Sequence, residues 1–172
     1  MKKISVILFI AVSLFGFDFK KEYQQQNFTR ICKYGYHHLK EIKNNEDTLS
    51  LVGFACVKRD YFIYLPYIIN YLKKTKKARE NSIYFSLLFI EKKLLISYIL
   101  DNIDISYYRF PKIEHPISIV MTNIINKSFK KENDTIIINN KNLIYKVYKN
   151  NQNKVFIDIY ENNKLKETHW YR

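Results

Sequence analysis

The chain has little of what usually announces a mechanism. Its 172 residues include two Cys, three Gly, three Pro and one Trp. Gly35 and Gly53 stand alone, so no glycine-rich loop can cradle a phosphate. No Gly-x-Ser-x-Gly elbow exists to raise a nucleophile, and no Cys-x-x-Cys-His segment to hold haem. Arginine is also scarce, 5 of the 29 basic residues, although the formal charge is +13. Arginine is the side chain that forks onto phosphates and base edges. A specific nucleic-acid reader is therefore not expected. The lysine excess accompanies abundant Ile, Asn and Tyr and reads as a cation-coated surface. A chain that is 47% apolar and 26% charged is neither disordered nor collagen-like.

Long apolar runs are missing too. Ile4 to Phe17 is uncharged and mostly apolar, follows Lys2 and Lys3, and ends at Asp18. It is shorter than the roughly 20 residues of a membrane span and has the layout of a secretory signal. Cleavage is expected after Gly16, or after Ser13 in Ala11-Val12-Ser13; an uncleaved N-terminal anchor is the alternative. Ile83 to Leu100 is interrupted by Glu91-Lys92-Lys93 and reads as a buried helix. The expected location is extracytoplasmic, periplasmic or secreted. There, an even cysteine count suggests a disulfide between Cys32 and Cys56. Both lie twelve residues from Asn44, the centre of a predicted turn. Antiparallel helices would bring them to the same height, with Gly35 and Gly53 permitting close approach. Two buried free thiols are the alternative.

Residues 17–129 carry helical periodicity. Short helices are expected from Phe19 to about Gln26, over 28–42, from Glu46 past Cys56, over 61–74 with Asp60 as its cap and with a kink or a later start at Pro66 as the alternatives, over 78–100 and over 116–127. The fifth is expected to be covered on nearly every side. From residue 130 the period falls to two. Runs at 135–139, 142–149, 154–160 and 164–171, separated by Asn-rich turns, predict a four-stranded antiparallel meander. Val155, Ile157 and Ile159 should face the helices, leaving Asp158 on the outer face and tolerant of substitution. The fold class is α+β: a signal segment 1–16, a helical-hairpin region 17–129 and a β-meander 130–172.

The succession of short helices joined by Asn/Asp/Lys turns resembles tetratricopeptide-like and related helix-hairpin repeats. The Trp-Leu-Gly-Tyr signature and the repeat of about 34 residues are absent. The chain also looks similar to small secreted proteins of AT-rich bacteria, through Asn27-Phe28-Thr29, Cys32-Lys33-Tyr34-Gly35 and Lys92-Lys93-Leu94-Leu95. That resemblance implies no activity.

Few constellations could carry chemistry. His37 and His38 lie five and six residues from Cys32, off the i,i+3 and i,i+4 spacing of helix ligands. Asp101, Asn102 and Asp104 lack the glycine and the oxygen count of a calcium loop. Asp134 and Asp158 fall on separate hairpins. Neither an enzyme nor a metal or cofactor is expected. Two surface features remain. Tyr61, Tyr64, Tyr67 and Tyr71 recur at helical steps and offer rigid amphipathic area to a partner. Lys73, Lys74, Lys76, Lys77 and Arg79 could meet an anion. The expected function is a periplasmic, non-enzymatic module that binds an envelope protein or peptide. The alternatives are a binder of anionic lipid or polymer through the lysine-rich turn, and an unrecognised hydrolase or metal protein.

Overall fold

The computed structural model describes residues 16–172. All but the last residue of the expected signal segment lies outside the described residues. Seven α-helices precede a five-stranded antiparallel sheet. The helices are α1 (Phe19–Gln24), α2 (Phe28–His37), α3 (Leu39–Ile42), α4 (Glu46–Lys58), α5 (Leu65–Ile69), α6 (Lys76–Asp101) and α7 (Pro116–Ile125). Side-chain oxygens start three of them: Asp18 accepts from the Lys21 N–H at 3.0 Å, Asn45 from the Thr48 N–H at 3.0 Å and Thr75 from the Ala78 N–H at 3.1 Å. Pro116 opens α7, where its missing N–H costs nothing.

The helices are too unequal for the hairpin repeat that the resemblance implies, running from 4 residues in α3 to 26 in α6. The expected helix 28–42 breaks at His38, which separates α2 from α3. The expected helix 61–74 shrinks to a 3-10 turn, Phe62–Tyr64, and the short α5. Pro66 explains the late start: without an N–H it fits only the first turn of a helix, and it stands second in α5. Asp60 is not the cap of that helix. It adopts φ 58°, and its N–H and that of Tyr61 bond to Val57 and Cys56 carbonyls, closing the end of α4. Nor is α6 covered all round. Phe85, Leu88 and Leu95 are fully buried, but Ile83 and Ile90 remain 61% and 43% exposed.

Cys32 and Cys56 form the expected disulfide between α2 and α4, with Cα atoms 4.9 Å apart. A Cβ on Gly35 would stand 2.4 Å from a Val52 methyl, so only glycine allows this approach. Residues 32 and 35 thus meet 56 and 52, and the two helices run antiparallel. Gly53 serves another contact: its Cβ would strike the Phe85 ring of α6 at 2.3 Å.

The sheet consists of β1 (Lys130–Glu132), β2 (Thr135–Asn140), β3 (Leu143–Lys149), β4 (Val155–Glu161) and β5 (Lys164–Tyr171), in sequence order. The sheet exceeds the expected four strands by β1, whose three charged residues are exposed and carry no alternation. Asn133, Lys141, Asn153, Asn162 and Asn163 take positive φ at the hairpin turns. Ile136, Ile138, Tyr145, Val147, Val155, Ile157, Ile159 and Tyr171 join the helix residues in one core. The alternation over 155–159 is as expected, with one correction. Asp158 is on the outer face yet only 9% exposed, because the Tyr148 hydroxyl (2.9 Å) and Thr168 hydroxyl (2.7 Å) donate to it. It is a structural acceptor, and replacement by Lys is not expected to be mild.

Candidate functional site

The tyrosine series does not form one helical stripe. Tyr64 and Tyr67 close on Tyr36 of α2, with ring centroids 4.4 and 5.2 Å from it. Tyr61 stands 6.2 Å from Tyr64 and carries the Lys33 ammonium 6.0 Å from its ring centre. Tyr71 packs against the core, as Tyr61 and Tyr64 also do. The cluster is open to solvent at one side: Tyr67 is 49% exposed and its neighbour Ile63 61%. Slight desolvation, then the neighbouring Tyr67 and Tyr64, raises the Tyr36 pKa. The cluster sets phenolic hydroxyls and apolar ring area side by side. Tyr36 was not singled out in the sequence. It lies 28 residues from Tyr64 and meets it across the packed, disulfide-linked pair α2 and α4.

The lysine-rich turn already holds an anion. The backbone N–H groups of Lys73, Lys74 and Thr75 donate to the Glu46 carboxylate at 2.7, 2.6 and 2.9 Å. These bonds hold its pKa well down, at about 2. Arg79 donates to the Lys73 and Lys74 carbonyls at 3.1 and 2.7 Å, and Lys76 lies 3.9 Å from Glu80. The turn therefore clamps α4 to the start of α6. Lys73, Lys74 and Lys77 leave their side chains exposed.

A buried polar network, unforeseen in the sequence, joins the helices to the sheet. His169 of β5 donates through Nδ1 to both Asp60 oxygens at 3.0 Å and through Nε2 to Glu167 at 3.3 Å. Both partners are acceptors, so the imidazolium fits this site. Burial opposes the charge, but Asp60 and Glu167 outweigh it and the pKa rises. His115, 5.9 Å from the His169 ring, is the reverse. Burial first, then the nearby His169 and Lys58 charges, drives its pKa to about 3, and its Nδ1 accepts from the Ile117 N–H. Glu91 accepts from the Ser118 hydroxyl at 2.9 Å, while its second oxygen has no partner among the described residues. Burial pushes the Glu91 carboxyl up to about 7. His169 lies in a strand 109 residues from Asp60, and no local pattern predicts their pairing.

This network makes stability depend on pH. Unfolded Glu91 ionises near 4.5, whereas the folded residue holds its proton to about 7, so stability falls as pH rises through that window. The loss is on the order of 3 kcal/mol at most. His169, raised above 6.5, gives stability that is lost as pH climbs past its folded value. His115 acts oppositely: stability is lost as pH falls from 6.5 toward 3. Glu91 should therefore make the slope of melting temperature against pH more negative between pH 4.5 and 7, and Glu91→Gln should remove that contribution. An unchanged slope in Glu91→Gln would show that Glu91 is ionised in the folded chain.

Most polar atoms of the network are engaged, Glu91 Oε2 excepted. Both His169 nitrogens are engaged, the His115 acceptor nitrogen is used, and Ser118 is spent on Glu91. No group of three or more His, Cys, Asp or Glu residues has a metal-holding arrangement among the described residues. Among those residues, no helix is long and apolar enough to cross a membrane. Comparison with protein-family models, curated proteins and solved structures finds no match.

Proposed function

We propose that the chain is an extracytoplasmic, non-enzymatic binding module whose tyrosine cluster docks a protein or peptide. The observation that carries this reading is the Tyr36–Tyr64–Tyr67 cluster, half-buried at Tyr36 and Tyr64 and exposed at Tyr67, with exposed Ile63 beside it, on a frame held by a disulfide. Tyrosine buries large area at small entropic cost and keeps a hydrogen-bonding tip, which suits recognition. Lys33 and the exposed His37 border the cluster, so the partner segment combines apolar with acidic side chains. Export is supported by the apolar run before Asp18 and by the disulfide, which persists in oxidising compartments. Assignment to the periplasm rests on the same two features. A hydrolase would need a free nucleophile beside a free base, and the buried histidines offer neither.

The test is capture of envelope proteins by the wild type and by Ile63→Ser/Tyr67→Ala. Both residues are exposed, so the variant should fold with an unchanged melting temperature. A partner retained by the wild type at 1 M salt, where the screening length is about 3 Å, and lost by the variant is the expected result. Equal capture by both proteins would contradict the reading. Capture that vanishes at 1 M salt and tracks Lys73, Lys74 and Lys77 would favour the anionic-polymer alternative.

A further inference from the structure

The face of the sheet turned away from the helices has an organisation unlike ordinary solvated strand. Strand register places its side chains in three rows. Tyr148, Phe156 and Trp170 align across β3, β4 and β5. Ile144, Tyr160 and Leu165 form a second apolar row across the same strands. Between them runs a polar row of Lys146, Asp158 and Thr168. The Tyr148 and Phe156 ring planes are nearly parallel, 10° apart, with centroids at 5.4 Å. Trp170 is 40% and Leu165 57% exposed. Each aromatic row has its own cation: Lys154 Nζ lies 4.9 Å from the Trp170 ring centre, and Lys146 Nζ 4.8 Å from that of Tyr160. Among the described residues, neither lysine has an ion-pair partner within bridging distance. Asp158, the acid between the rows, has both oxygens taken by hydroxyl donors, and the Tyr148 ring is fixed by its own bond to it.

We infer that this face binds an anionic polysaccharide, with sugar rings against the aromatic rows and its acidic groups on Lys146 and Lys154. Neighbouring strands lie about 4.8 Å apart, so successive aromatic side chains of a row are spaced close to the length of one pyranose unit. Sugars present C–H-rich faces that pack on aromatic rings, and hydroxyls that suit the polar row. A protein partner fits less well, because interface cores are depleted in lysine and here lysines stand among the aromatics. A nucleic acid fits less well, because the three rows contain no arginine. The surface is separate from the tyrosine cluster, and the inference does not depend on that reading.

Trp170 is the single tryptophan of the chain, so its fluorescence reports on this face alone. Polygalacturonate and dextran sulfate are the acidic probes, with unsulfated dextran, polyacrylate and an oligothymidylate as comparisons. The expected result is a saturable change in Trp170 emission with at least one acidic glycan, weaker with dextran and polyacrylate. In affinity electrophoresis, Trp170→Ala and Lys154→Gln should each weaken that binding by about tenfold, with unchanged melting temperatures. Lys77→Gln should leave it unaffected. Lys154→Gln keeps the test valid should Trp170→Ala disturb the strand. Binding to none of the glycans overturns the inference. So does equal binding of polyacrylate, which would show charge alone, or tighter binding of oligothymidylate, which would show a nucleic-acid platform. Equal loss in Lys77→Gln would move the site off the sheet.

Discussion

Ile157→Lys should fail to give a folded protein. Ile157 lies at the centre of β4 with no exposed surface, between buried Val155 and Ile159 and opposite buried Val147. A lysine there must either bury an unpaired ammonium or drag the strand outward. The cost is on the order of 5 kcal/mol, set against a total stability of roughly 5–15 kcal/mol for a domain. Loss of the cooperative melting transition, with aggregation on expression, is the expected outcome. Phe156→Lys is the contrast, since Phe156 is half-buried on the outer face beside exposed Trp170. That variant should fold and melt within a few degrees of the wild type. A folded Ile157→Lys protein would mean that the strand presents its other face to the helices.

The second large effect belongs to the disulfide. Cys32→Ser with Cys56→Ser frees a loop of about 25 residues and should cost about 3 kcal/mol. For a chain of this size that is a fall of about 6–12 °C in melting temperature. The Tyr36 cluster depends on α2 remaining against α4, so tyrosine-mediated binding should weaken before global unfolding. Binding on the outer sheet face should persist up to the melting point. Differential scanning calorimetry with and without reductant gives the same comparison on the unmutated protein. An identical melting temperature in both conditions would remove the disulfide from the list of stabilising features.

How much of this was legible in the sequence follows from the range of the interactions. The period-two runs from 135 onward specified four strands and the buried face of β4, because alternation is a local signal. They could not specify β1, a fully exposed Lys-Lys-Glu segment that exists only by pairing with β2. Cys32 and Cys56 were legible because their placement about Asn44 is symmetric and a turn makes symmetry a contact. Gly53 shared that symmetry and yet faces Phe85, since which side of a helix meets which neighbour is settled by the whole packing. The sequence offered the lysine side chains of 73–79 to an anion; what the structure shows there is a different contact, Glu46 held by the backbone N–H groups of Lys73, Lys74 and Thr75, which have no sequence signature. The Asp60–His169 pair, the Tyr36 contacts and the outer-face rows all join residues distant in the chain, so no window of sequence could contain them.

The central claim is that the chain works outside the reducing compartment, as a disulfide-pinned frame presenting binding surfaces. Its most direct test is the intact mass, without reduction, of protein recovered from its native compartment, with N-terminal sequencing of the same sample. The account predicts a chain beginning at Phe17, or at Leu14 if the earlier site is cut, and lighter by two hydrogens than its reduced form. A chain that retains Met1 and carries both Cys32 and Cys56 as free thiols would contradict it.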